Sequence, residues 1–228
     1  MNETAKDDLT ITLVRHGHSA WQAGLVEART FGDHRIPLSP KGVGEARDVG
    51  KTLGASFLRS ALIYVSPYQR TRETFQGILL GAGVEESRLR CFEDPRLREV
   101  EHGYQGVEEQ KGHRETHGWF FYRYDGGESP ADCYDRVSGF IDSLWRQLER
   151  KKREKTFKNV LIVTHGLTIR CFVMRFLHLK VEDFDRMQNP KNCAVITIKP
   201  RDRKKAHPFA GGDWVADGLE VRAPGSEW

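Results

Sequence analysis

The chain has 228 residues, 38% of them apolar and 30% charged, with a net charge of +4. This is enough for one large domain around a well-buried core, in the composition of an ordinary soluble globular protein. No apolar run approaches the roughly 18–20 residues that a membrane-spanning helix needs, which argues against a membrane protein.

The first eight residues, Met1 to Asp8, are polar, lack the apolar core of a signal peptide, and read as a flexible lead-in. Leu9-Thr10-Ile11-Thr12-Leu13-Val14 then alternates in the manner of a strand over 9–14, delivering Arg15 and His16 into a turn at Arg15-His16-Gly17-His18-Ser19. Ser39-Pro40 pairs an N-cap residue with a proline suited to the first helical position. A strand over 61–65 follows, and Ser66-Pro67 repeats the helix-start signal for a helix over 67–80 that buries Phe75, Ile78 and Leu79 and carries Arg70 in its first turn. A further strand is expected over 88–92.

The segment 101–128 is rich in glycine, aromatic and charged residues and reads as a cap over the functional edge of a sheet, with Trp119, Tyr122, Arg123 and Tyr124 available to a substrate body. Ser129-Pro130 with Asp132 approximates a capping box, and Val137, Phe140, Ile141, Leu144, Trp145 and Leu148 then form a core-facing helical stripe. A strand over 160–164 runs into Thr164-His165-Gly166 and an apolar helix over 166–179; the last clear strand is 193–198. Residues 200–228 look peripheral apart from a strand around Trp214-Val215.

Alternating strands and helices imply an α/β fold: a mainly parallel central sheet with helices on both faces. The expected organisation is a catalytic domain over 9–200 with a cap insertion at 101–128, and an extension over 201–228. Cys91, Cys133, Cys171 and Cys193 include no Cys-x-x-Cys pair, so reduced thiols and a cytoplasmic location are expected. The basic runs at 151–155 and 201–205 lack interleaved aromatics and read as solvated faces; neither nucleic acid nor membrane is expected as a partner.

Two strands that each end in His-Gly place His16 and His165 at the carboxyl edge of one sheet, where ligands bind in open α/β folds. A phosphoryl group offers oxygen acceptors and negative charge, so its site needs forked cationic donors. Arg15, Arg70, His165 and the helix N-terminus at Gly166 supply such a cup. A neutral imidazole of His16 is then the natural nucleophile, provided its other nitrogen donates to a backbone carbonyl. Arginine and histidine donors can carry the charge that metal ions carry in kinases, so neither metal nor cofactor is required. Glu99, in Asp94-Pro95-Arg96-Leu97-Arg98-Glu99, is the candidate acid for the leaving alcohol and base for the hydrolytic water. Taken singly, each residue also fits a structural role; the case rests on their joint placement.

Arg15-His16-Gly17-His18-Ser19, Ser66-Pro67-Tyr68-Gln69-Arg70-Thr71, Leu97-Arg98-Glu99 and Thr164-His165-Gly166, in this order, resemble the histidine phosphatase superfamily, also called phosphoglycerate-mutase-like, over about residues 9–200. The resemblance implies a phosphorylated histidine at His16, a phosphate pocket of Arg15, Arg70 and His165 to which Ser19, Gln22 and Gly166 add substrate contacts, and a proton donor at Glu99. Phe120-Phe121-Tyr122-Arg123-Tyr124, Gly127-Glu128-Ser129-Pro130-Ala131-Asp132 and Tyr134-Asp135-Arg136-Val137 look like the fungal and plant-type broad-range acid phosphatases of that superfamily. Two positions depart from the family pattern: His18 stands where Glu, Gln or Asn is common, and Gln22 where a phosphate-contacting Asn is common. The expected activity is hydrolysis of a small-molecule phosphomonoester. Phosphoglycerate-mutase-type transfer is the alternative, although His102-Gly103-Tyr104-Gln105-Gly106 replaces the mutases' Tyr-Gly-x-Leu pattern. A non-catalytic phosphoryl-binding module would be expected to lose His16 or Glu99, and a metal site from His16, His18 and His165 lacks a carboxylate or cysteine at a suitable interval.

Overall fold

Val160-Leu161-Ile162-Val163 is apolar toward both faces, and it becomes an interior strand of the sheet, paired on both sides. In the computed structural model, which describes residues 9–27, 31–103, 106, 108–151 and 157–223, the strands are β1 (Thr10–Arg15), β2 (Ala61–Val65), β3 (Arg90–Glu93), β4 (Asn159–Thr164), β5 (Val195–Pro200), β6 (Ala210–Gly211) and β7 (Trp214–Asp217). Their order is β3-β2-β4-β1-β5-β7-β6. The first four are mutually parallel, whereas β5 runs antiparallel to β1 and β7 antiparallel to β5. The sheet is therefore mostly but not wholly parallel.

The helices are α1 (Pro40–Ser60), α2 (Gln69–Ala82), α3 (Lys111–His117), α4 (Pro130–Lys151), α5 (Gly166–Leu177) and α6 (Val181–Arg186). Because side chains alternate along a strand, β2 sends Leu62 and Tyr64 to one face and Ala61, Ile63 and Val65 to the other. The first set packs with Val137, Phe140 and Leu144 of α4 and Phe172 of α5; the second packs with Val49 of α1 and Phe75, Ile78 and Leu79 of α2. Helices thus cover both faces, as the alternating pattern implied. Trp145 belongs to the first of these cores, stacked 5.7 Å from Phe176.

The helix-start signals divide. Ser39 accepts from the Gly42 amide, and Ser129 and Asp132 bond reciprocally through Oγ, Oδ2 and their two amides, a full capping box. Ser66 does not cap α2, which begins at Gln69 after Tyr68 with no side-chain cap. Its hydroxyl is engaged in the site instead. Residues 201–223, expected at the periphery, hydrogen-bond onto the sheet through β7 and bury Phe209 completely. The 101–128 segment also contributes to the core, through Phe120 and Tyr124. Tyr124 hydroxyl meets Nη1 of buried Arg114, Tyr122 donates to Gln110 Oε1, and Arg123 pairs with Asp132. Tyr122, Arg123 and Tyr124, available to a substrate on the sequence reading, thus have partners within the fold. Residues 1–8, Tyr104, Gln105 and 152–156 lie outside the described residues.

Candidate active site

In the parallel pairing of β1 with β4, Arg15 is opposite Thr164, so the next residue of each strand leaves the sheet side by side. These are His16 and His165, with ring centroids 5.3 Å apart at 61°. Nδ1 of His16 lies 2.8 Å from its neighbour's carbonyl, Gly17 O. That contact selects the Nδ1–H tautomer and leaves the Nε2 lone pair for chemistry. Both rings are buried, and burial, reinforced by the charges of Arg70 and Arg15, holds both imidazoles well below the usual histidine range. His16 is thus neutral at neutral pH.

The turn carrying His16 is pressed against the start of α1. A Cβ on Gly17 would lie 2.7 Å from the Gly42 carbonyl, and one on Gly42 would lie 2.2 Å from the His18 carbonyl. Only two glycines allow this approach. The Gly17 amide donates to Thr74 Oγ1 on α2, fixing the turn from the other side. His18 points away from the pocket, its Nδ1 2.9 Å from Ser39 Oγ and its amide bonded to Glu45.

Around the two rings stand the expected donors. Arg15 is held by the Pro190 carbonyl through Nη1, and its Nε is buried with no partner among the described residues. His165 Nε2 meets Ser66 Oγ at 2.8 Å, whereas its Nδ1 is likewise buried and unpartnered. Both are buried polar atoms of the kind that the oxygens of an anion satisfy. Gly166 opens α5 directly after His165, adding the helix N-terminus. Arg70, the second residue of α2, is buried, with its guanidinium 4.9 Å from the Tyr68 ring and paired to Asp33.

Glu99 arrives on a loop clamped at several points. Thr164 Oγ1 donates to the Leu97 carbonyl, Thr168 Oγ1 to the Arg98 carbonyl, and Arg136 Nη2 to the Glu99 carbonyl. Its Oε1 accepts from the Val100 and Thr168 amides and from Thr168 Oγ1, and its charge acts on Arg15. No described residue hydrogen-bonds to its Oε2.

Sequence reasoning missed the 189–192 loop, and the topology explains why. Because β5 runs antiparallel to β1, the residues preceding it lie at the carboxyl edge of β1, beside the site. Asn192 Nδ2 donates to the His16 carbonyl and to Gln22 Oε1, and Gln22 Nε2 donates to Asn192 Oδ1. Gln22 Oε1 also accepts from the Ser19 amide, and Ser19 Oγ from the Gln22 amide, so these two side chains brace the turn. Ser66, Thr168 and Asp33 were missed as well. Ser66 had a signal, but it was the signal of a helix cap.

Two imidazoles, two guanidiniums and a helix end thus converge on one sheet edge of an α/β fold. The chain belongs to the histidine phosphatase superfamily: the family model for its branch 1 matches residues 11–207. It is 37% identical over 211 residues to a phosphoglycerate mutase-like protein of Arabidopsis thaliana, AT74H, covering 85% of this chain and 74% of the relative. It is 27% identical over 194 residues to the broad-range acid phosphatase DET1 of Saccharomyces cerevisiae, covering 60% of this chain and 58% of that one. A mycobacterial glucosyl-3-phosphoglycerate phosphatase, solved in complex with VO3, shares the fold at a TM-score of 0.69 and 21% identity over 94% of this chain and all of that one (100%).

Proposed function

We propose that the protein is an acid-type histidine phosphatase that hydrolyses small-molecule phosphomonoesters through a phosphohistidine on His16. Nε2 of His16 attacks phosphorus in line, the bond from phosphorus to the ester oxygen breaks, and the departing alkoxide takes a proton from Glu99. Water then attacks the phosphohistidine while Glu99 takes a proton back, and inorganic phosphate leaves. Arg15, Arg70, His165 and the amides of α5 from Gly166 bind the transferring oxygens, with charge enough to make a metal or cofactor unnecessary. Ser19 and Gln22 shape the turn that presents the nucleophile. The observation that carries this proposal is the Nδ1 contact of His16 with Gly17, which supports an Nε2 nucleophile beside the orphaned donors of Arg15 and His165.

We assign this chemistry to a catalytic domain over 9–200, with 101–128 as a cap that also lends Phe120 and Tyr124 to the core and with β6 and β7 extending its sheet. Four free cysteines favour a reducing, cytoplasmic setting; among the described residues no helix is long and apolar enough to cross a membrane. The mutase-like Arabidopsis relative favours a second reading, transfer of the phosphoryl group back to a reoriented phosphoglycerate. A panel of sugar phosphates, nucleotides, phosphopeptides and an aryl phosphate, assayed from acidic to neutral pH alongside isomerisation of phosphoglycerate, decides between them. Phosphate release that outpaces isomerisation supports the phosphatase; dominant isomerisation overturns it.

A further inference from the structure

Three of the five N–H donors of Arg70 are taken by a residue that no catalytic step above uses. Nη1 donates to the Asp33 carbonyl at 2.7 Å and to Oδ1 at 3.0 Å, and Nη2 donates to Oδ2 at 3.1 Å. A guanidinium is a rigid planar fork, so fixing its two Nη atoms fixes the rest. What remains is the Nε–H and the outer Nη2–H, two parallel donors on one edge. No described residue accepts from that edge. Two parallel donors match two oxygens of a phosphoryl group.

We propose that Asp33 is a positioning residue of the phosphate site: it grips Arg70 end-on so that the Nε/Nη2 edge is presented to two phosphoryl oxygens. This rests on the phosphatase reading and adds a residue to it. Asp33 lies on a short helical turn, Asp33–Arg35, and grips Arg70 with both its backbone carbonyl and its carboxylate, so the turn and the guanidinium orient each other. The Tyr68 ring, 4.9 Å from the guanidinium carbon, flanks it. Charge placement agrees with this arrangement. The Asp33 carboxylate helps to push Tyr68 up to about 12, after burial, and it acts on His102, whereas the charges acting on His16 are those of Arg70 and Arg15. The next residue of the turn, His34, sets its ring 6.5 Å from the Tyr68 ring, so the turn borders Tyr68 as well as Arg70.

The competing arrangement has Asp33 occupying the position the phosphate needs, as a built-in competitor. The two differ in sign. Removing a carboxylate near an anion site would by itself tighten phosphate binding; loss of orientation weakens it. The test is inhibition by inorganic phosphate, with KM and kcat for an aryl phosphate, in Asp33→Ala, Asp33→Asn, Arg70→Ala and the Asp33→Ala/Arg70→Ala double variant of the full chain. We expect Asp33→Ala and Asp33→Asn to raise the phosphate inhibition constant and KM about tenfold, with a smaller effect on kcat. In the Arg70→Ala background, Asp33→Ala should add nothing, because its target is gone. An inhibition constant that is unchanged or lower in both single variants overturns the proposal, as does the same weakening with Arg70 absent. A purely structural role would lower stability without moving the inhibition constant of the folded enzyme, and it counts against the proposal too. Failure of the parent reading looks different: the unmodified protein would neither hydrolyse phosphoesters nor respond to phosphate, and both proposals would fall.

Discussion

Ser66→Ala removes one hydroxyl and should disturb the site through His165. Among the described residues Ser66 Oγ is the one hydrogen-bond partner of the His165 ring, at Nε2, and Nδ1 has none. For Nδ1 to donate to a phosphoryl oxygen, Nε2 must accept, so the serine O–H has to donate and thereby fixes the tautomer. Without it a completely buried imidazole has no hydrogen bond to any described residue. Leaving one buried polar atom unsatisfied costs about 1–3 kcal/mol. In a chain of this length that corresponds to a Tm lower by roughly 2–12 °C. Thermal unfolding measures it, with phosphate inhibition measured on the same preparations. We expect Tm to fall and the inhibition constant to rise together, since the released ring can donate from either nitrogen. Unchanged values of both would refute the link between Ser66, the tautomer and the phosphate site.

Glu99→Gln should slow turnover most for phosphoesters with poor leaving groups, because those need the proton most; equal slowing across a leaving-group series would point to another acid. Acid should weaken the fold through the buried histidines. His16 and His165 lie below their unfolded value of about 6.5, so below that pH the unfolded chain binds more protons. Their contribution is complete above about pH 6.5 and is lost as pH falls toward the folded values, by about 1.4 kcal/mol per histidine per pH unit. Urea unfolding between pH 7.5 and 5.5 should show a shallower loss for His165→Gln than for the unmodified protein; equal slopes would contradict it. Gly42→Ala should destabilise by about 1–3 kcal/mol or more, because its Cβ would lie 2.2 Å from the His18 carbonyl, and a normal Tm would show that the two turns do not meet as described.

Much of the molecule was readable because local chemistry and global architecture agree. The five expected strands form within two residues of their expected bounds, and the apolar stripes of α2, α4 and α5 face the core they implied. Two strands that each end in His-Gly imply that His16 and His165 share a sheet edge, and the register of β1 with β4 brings their rings to 5.3 Å. What escaped was set by long-range partners. Ser66-Pro67 has the local form of a helix cap, but the hydroxyl goes to a histidine 99 positions further along the chain. Asn192 was invisible because a reversed β5 decides which edge its loop reaches. Asp33 gave no periodic or motif signal; only the fold shows that it faces Arg70. Composition likewise leaves open which side chains of 101–128 turn inward; Phe120 and Tyr124 do.

The most direct measurement is a rapid-quench experiment with an aryl phosphate, followed by mass spectrometry of peptides under alkaline conditions that preserve phosphohistidine. We expect one acid-labile phosphoryl group on the peptide containing His16, formed within a turnover and absent from His16→Ala, which should have lost turnover. Hydrolysis that proceeds with no label on His16, or with His16→Ala still active, would contradict the covalent step.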